Sequence, residues 1–236
     1  MILPSDKDYK ATKLIMQGKA VMNSDFIELA DFIYQTFGVS PVNIIYDTFG
    51  KENRPRLNLC FEFARSKAIF SNQNQTLGYN AEKQKVIADK FTELVKNEQP
   101  ALDKRILNFF QKKRISKYKT DDVWVIYSAF EPIAKAEAGN KINSNQIAGL
   151  KTKLNNLDLW EISRVDSYVT FFLFTEQQVQ QYEHSETRKI WADEYFKLLK
   201  PYDEFGYFKR DNFNIFLDSK ENFDKNYQSN WYYYYK

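Results

Sequence analysis

Histidine and cysteine are almost missing. The 236-residue chain has one of each, His184 and Cys60. A single cysteine excludes an intramolecular disulfide framework. One histidine and one cysteine also exclude any site that needs two of either as ligands. Glycine is scarce: seven residues, roughly 3% against the usual ~7%, leave little material for Gly-rich phosphate loops. No Walker A loop, G-x-G-x-x-G, G-x-S-x-G or H-E-x-x-H motif is present. No run approaches the ~18 consecutive apolar residues of a membrane span. The N-terminus lacks the basic start and long apolar stretch of a signal peptide. The expectation is a cytoplasmic protein with a reduced thiol, in which the sequon Asn74-Gln75-Thr76 carries no glycan.

Aromatic residues are what the chain has in plenty: 20 Phe, 16 Tyr and 4 Trp within a 43% hydrophobic composition. That is enough apolar surface for a core, and it excludes disorder of the whole chain.

Charge is unevenly spread. The net charge is +3, yet residues 101–120 carry seven basic side chains (Lys104, Arg105, Lys112, Lys113, Arg114, Lys117 and Lys119) against Asp103. Residues 121–236 carry 14 basic and 18 acidic side chains. The plain reading of the basic block is a solvated helix face or linker. The functional reading is a patch for phosphate or for an acidic protein surface.

Periodicity divides the chain into two similar halves. Residues 24–38 read as a helix, with Phe26, Ile27, Ala30, Ile33, Tyr34 and Phe37 on one stripe, a cap from Ser24 or Asp25 and a stop at Gly38. Residues 42–49 and 57–63 read as strands about the turn chemistry of residues 50–55. Residues 82–96 and 101–114 read as helices, and residues 123–130 as a strand. In the second half, 144–156 is a helix, 159–165 and 168–175 are strands about Asp166-Ser167, 186–200 is a helix and 213–217 a strand.

Residues 82–96 match 186–200 at six of fifteen positions, including Ala88/Ala192, Asp89/Asp193 and Leu94/Leu198. Lys119-x-Asp121-Asp122-Val123 matches Lys209-x-Asp211-Asn212-Phe213. The agreement of these matches with the element order argues for an internal duplication. Lys85–Asp89 and Lys189–Asp193 are expected to be helical i,i+4 ion pairs. The two offsets differ across the basic block, so the first half holds an insertion there.

These patterns predict an α+β fold of two related halves, 1–118 with a basic helical insertion at about 101–119, and 119–236 with an aromatic C-terminal strand. Antiparallel sheets covered by helices are expected. From Val123 onward the order is βαββαβ, that of a ferredoxin-like domain. The first half matches it if residues 13–19 supply an opening strand. Tandem units of this kind would resemble the CRISPR RNA-processing endonucleases. The Gly-rich C-terminal loop of that family has no counterpart, because Gly206 is the last glycine, so its activity is not carried over.

Few residues offer chemistry. His184 sits in a polar stretch and reads as a surface histidine near a helix start. Cys60 alternates with Leu57, Leu59, Phe61 and Phe63, the pattern of a buried, inert thiol. A helical turn would align Asp218, Glu221 and Asp224, but Lys220 and Lys225 interrupt the field, so turn and cap roles are expected there and no metal. No cofactor and no catalytic constellation are expected.

The C-terminal Trp231, Tyr233 and Tyr235 would share one face of a strand. They would form a docked edge or a binding surface, since Tyr and Trp concentrate at interface hot spots. The function these features favour is non-enzymatic binding of another protein, as an inhibitor of the immunity or antitoxin type. The alternative is RNA or single-stranded DNA binding through residues 104–119 and exposed aromatics.

Overall fold

The computed structural model describes residues 3–72, 78–97 and 117–236. The fold is α+β, and it divides into two compact units, Met1–Phe130 and Glu131–Lys236. The dividing point falls after Phe130 rather than at 118/119, because the strand at 124–129 pairs with the first unit's sheet.

The first unit opens with α1 (Lys7–Met16). A 3-10 turn over Ser24–Phe26 then runs into α2 (Ile27–Phe37). The side chain of Asn23, not Ser24 or Asp25, accepts the cap hydrogen bond, from the Asp25 N–H. Gly38 ends α2 in the left-handed region, at φ +72°, a conformation that costs a β-carbon-bearing residue more. The hairpin β1 (Asn43–Phe49) and β2 (Arg54–Phe61) follows. Its turn is narrower than expected, residues 50–53, with Gly50 and Asn53 both at positive φ. After α3 (Ala64–Ala68) and α4 (Ala81–Asn97), the chain returns as β3 (Trp124–Ala129). The sheet order is β1-β2-β3, with β2 and β3 parallel, because the intervening helices carry the chain back to the same end of the sheet.

The second unit repeats this plan. It comprises α5 (Phe130–Lys141, begun on the last residue of the first unit), α6 (Ser144–Leu154), β4 (Leu159–Val165) and β5 (Tyr168–Leu173). Then come α7 (Glu176–Tyr182), α8 (Glu186–Leu199), β6 (Phe216–Ser219), α9 (Lys220–Tyr227) and α10 (Trp231–Tyr234). Its sheet order is β4-β5-β6, with β5 and β6 parallel. Gly139 lies so close to the β4–β5 turn that an added β-carbon would be 2.5 Å from the Asp166 carbonyl oxygen.

Three expectations are corrected. Both sheets are mixed, not antiparallel, since strand alternation carries no information about direction. The βαββαβ order exists along the chain but not in one sheet, because β3 pairs with β2 and not with β4 or β5. Residues 13–19 form no opening strand: α1 runs to Met16.

The two units share buried positions as well as an element order. Ile87, Phe91 and Val95 on α4 are buried, as are Trp191, Tyr195 and Leu199 at the matching positions of α8. Ala129 ends β3 opposite Phe61, and Ser219 ends β6 opposite Leu173. One core gathers α2, α4 and one face of the first sheet around Leu29, Ile33, Leu57, Leu59, Phe61 and Phe91. The other gathers α6, α8 and the second sheet around Ile162, Phe171, Trp191 and Tyr195. Each fully buried aliphatic or aromatic side chain contributes about 1.5–3 kcal/mol. The expected ion pair Lys85–Asp89 forms at 2.5 Å. Lys189 and Asp193 do not pair: Lys189 meets Glu186 at 3.0 Å and Asp193 is taken by Arg210.

The two sheets differ on the face turned away from these cores. In the first unit it is polar: Asn58 donates to Asp8 on α1 (2.9 Å) and accepts from Ser128 (2.9 Å), and Asn43 donates to Thr12 (3.1 Å). In the second unit Phe172 on that face meets the rings of Phe223 and Trp231.

Candidate functional site

Most of the basic block, Lys104, Arg105, Lys112, Lys113 and Arg114, lies outside the described residues, as do the helix expected at 101–114 and the sequon at 74–76. Lys117 and Lys119 are described, and both tie the chain down. The Lys117 ammonium meets the Asp25 carboxylate at 2.5 Å, and the Tyr118 hydroxyl donates to the same carboxylate at 2.6 Å. These hydrogen bonds hold Asp25 below the usual carboxylate range. The same contact raises Lys117 to about 12. At Lys119 the backbone is engaged: its N–H donates to the Tyr46 hydroxyl (2.9 Å), which donates back to its carbonyl (3.3 Å).

The C-terminal aromatics are a helical turn, not a strand. The Asn230 side chain accepts from the Tyr232 N–H and caps α10. The turn places Trp231 and Tyr234 on the sheet together, as i,i+3 spacing requires. Trp231 stacks on Trp160 (6.0 Å between ring centroids, 9° between planes) and lies 4.2 Å from Phe223. Tyr235 donates to Ser163 (2.6 Å). Tyr233 points away and is 48% exposed. The three residues expected on one face are therefore split between packing and solvent, and Tyr232 is the exposed neighbour of Tyr233.

The remaining chemistry is dispersed. Cys60 is buried on β2, and burial pushes its thiol up. His184 is exposed in the turn between α7 and α8. Asp218 accepts from Asn222 (2.9 Å) and Tyr234 (2.6 Å), Glu221 accepts from the Glu176 N–H (3.2 Å), and Asp224 pairs with Lys220. Each of the three carboxylates thus has its own partner. Among the described residues no group of three His, Cys, Asp or Glu side chains converges as metal ligands would.

A surface that sequence reasoning missed lies at the hairpin end of the first sheet. Phe49 ends β1 and Trp124 begins β3, and their rings meet at 5.3 Å. The Arg56 guanidinium lies 5.4 Å from the Phe49 ring, and that of Arg54 lies 5.9 Å from the Trp124 ring. Both arginines are fixed by carboxylates. Arg56 grips Asp47 with two hydrogen bonds of 2.8 and 2.7 Å, and Lys7 adds a contact at 3.3 Å. Arg54 meets Asp122 at 2.9 Å. Burial alone would raise Asp47, but the hydrogen bonds and charge of Arg56, helped by Lys7, hold it below the usual range. A cleft of about 320 Å³ adjoins this surface, lined by Arg54, Lys85, Asp89, Thr92, Thr120 and Trp124.

The available signal was the alternation of Arg54 and Arg56 on one face of β2. What hid the site is that Phe49 and Trp124 meet only through the parallel register of β2 and β3.

Comparison with known proteins found no matching family model, no similar curated protein and no similar solved structure. Among the described residues no helix is long and apolar enough to cross a membrane.

Proposed function

We propose that this is a non-enzymatic binding protein that holds another protein, as an inhibitor of the immunity or antitoxin type. The observation that carries this reading is the Phe49–Trp124 pair flanked by Arg54 and Arg56. Aromatic and arginine side chains concentrate at the centres of protein interfaces. Carboxylates already hold these guanidiniums in place, so binding orders little that is not ordered beforehand. Phe49 is 53% exposed, which leaves apolar surface for a partner to cover. An inhibitor needs affinity and no chemistry, in keeping with a buried thiol and a histidine set in an exposed turn.

Pull-down from the native lysate with the intact protein and with Trp124→Ala tests this. One partner held by the wild type and lost by a folded Trp124→Ala variant is expected. A partner held equally by both would remove the surface from consideration.

The second reading, single-stranded nucleic acid, is favoured by the same ring. Trp124 has an arginine beside it, and the chain reaches it directly from the basic residues 104–119. Such binding would weaken steeply as salt rises and would fail in the Lys112→Glu/Lys113→Glu/Arg114→Glu variant. Fluorescence anisotropy with labelled single-stranded RNA separates the two readings.

A further inference from the structure

The polar face of the first sheet lies under α1, and little apolar contact holds α1 there. Of its residues only Tyr9 and Thr12 are buried. Tyr9 stacks on Phe130 at 5.1 Å between ring centroids, and the other anchors are polar. Asn58 on β2 donates to the Asp8 carboxylate, and Asn43 on β1 to the Thr12 hydroxyl. The Lys7–Asp47 contact comes from a lysine side chain that is 77% exposed, so it adds little. The second carboxylate oxygen of Asp8 is buried with no hydrogen-bond partner among the described residues, a cost that the closed position carries.

The other coverings are built differently. On the core side of the same sheet α2 buries Leu29, Ala30 and Ile33, and α4 buries Ile87, Phe91, Leu94 and Val95. In the second unit the face turned away from the core is closed by rings, Phe172 against Phe223, Trp231 and Tyr234. A helix held by hydrogen bonds exchanges them for bonds to water when it lifts, whereas buried apolar surface has no such replacement. Elements with few buried apolar contacts open ahead of the rest. The chain also leaves α1 through an open hinge. Gly18 has φ +70° with nothing within 4 Å of a β-carbon there, and Lys19, Ala20 and Val21 are exposed.

Cys60 lies on the covered face. It is two residues from Asn58 on β2 and so shares its face, it pairs with Asn43 in the β1–β2 register, and its thiol adjoins the Thr12 and Ser128 hydroxyls.

We propose that α1 is a reversible cover, which lifts from the first sheet as a unit while the strands, α2 and α4 stay folded, and that each opening bares Cys60. The reactivity of the thiol then depends on the position of one helix. The proposal rests on neither binding reading and uses none of Phe49, Trp124, Arg54 or Arg56.

Two measurements on the intact chain test it. The first is hydrogen exchange read by mass spectrometry. Relative to their unstructured rates, amides of residues 7–16 should exchange at least about tenfold faster than those of β2 and α4. The second is the rate at which an aromatic disulfide labels Cys60. The thiolate attacks one sulfur of the reagent, a mixed disulfide forms and a coloured aryl thiolate leaves. The chain has a single cysteine, so the colour reports one site. Labelling should rise with urea much less steeply than global unfolding does, because that slope scales with the surface exposed. Tyr9→Ala should speed both labelling and the exchange of residues 7–16 about tenfold or more. Ile33→Val, in the core on the other face of the sheet, should lower the urea midpoint of unfolding and leave labelling in the absence of urea within about twofold.

Labelling only in step with global unfolding, exchange of residues 7–16 as slow as that of β2, or labelling indifferent to Tyr9→Ala would overturn the proposal. If Tyr9→Ala does not fold, the urea slope and the exchange pattern of the unaltered chain decide it.

Discussion

Gln84 and Arg188 make one contact twice. Each lies near the start of its unit's long helix, α4 or α8, and donates to the carbonyl of a buried residue at the start of the closing strand, Val125 in one unit and Ile215 in the other. The sequence matches that align α4 with α8, and β3 with β6, bring these two pairs into correspondence. The two units therefore share a hydrogen bond as well as an element order, with an amide as the donor in one and a guanidinium in the other.

Gln84→Met keeps the side chain's bulk and leaves the Val125 carbonyl unpartnered. A loss of about 1–2 kcal/mol in urea unfolding is expected, the cost of a buried acceptor left unmade. Arg188→Met should cost more, because Arg188 also donates to the Glu183 carbonyl at 2.7 Å. A loss within a few tenths of a kcal/mol at Gln84 would mean that the carbonyl finds another donor.

Tyr127 and Tyr79 make a matched pair for the opposite reason. Tyr127 is 2% exposed and its hydroxyl has no hydrogen-bond partner among the described residues. Burial pushes that phenol far up. Tyr79 spends its hydroxyl on the Tyr127 carbonyl. Tyr127→Phe is expected to be neutral or to stabilise by up to about 1 kcal/mol, and Tyr79→Phe to destabilise by about 1 kcal/mol. Equal losses in the two variants would show that Tyr127 has a partner in solution.

Asp25 and Lys117 set a pH window for the anchoring of residues 117–119. Asp25 is lowered in the folded protein from an ordinary value of 3.8. Its stabilising contribution is therefore complete above that value and is lost as pH falls through the lower, folded one. Lys117 is raised from 10.5 to about 12, so its contribution is complete below 10.5 and fades as pH rises through about 12. Both groups are partly or fully in solvent, so the effect on stability is small. The Asp25→Asn variant should show a shallower fall in stability than the wild type on acidification below about pH 4. Parallel pH profiles would mean that the contact adds nothing.

How much of this was legible follows from what carries a periodic signal. Both hairpins, the Gly38 stop and the helix ending at Leu199 were readable, because their turn residues and apolar stripes are strong. Two of the missed helices, α5 and α7, lack a clear apolar stripe. The buried positions of α5 include Ala134, Ala136 and Ala138, which carry little hydrophobic contrast. In α7 the Thr175–Gln178 capping box is present, but the helix it starts is mostly polar. Sheet direction left no mark, and with it went the adjacency of Phe49 and Trp124.

The C-terminal run shows the limit most directly, because uniform aromatic sequence has no period. As a strand, Trp231 and Tyr233 share a face and respond alike to truncation. As a capped helical turn, they differ. Trp231 touches Trp160, Phe172, Phe223 and Tyr235 and remains only 37% exposed. Trp231→Ala is thus expected to cost about 2–4 kcal/mol, at or below the usual range for a buried aromatic because the ring is not fully covered. Tyr233→Ala should stay within about 0.5 kcal/mol, as a surface substitution does. Urea unfolding of the two variants decides the matter. A comparable loss at both positions would contradict the helical turn and restore the two residues to one face.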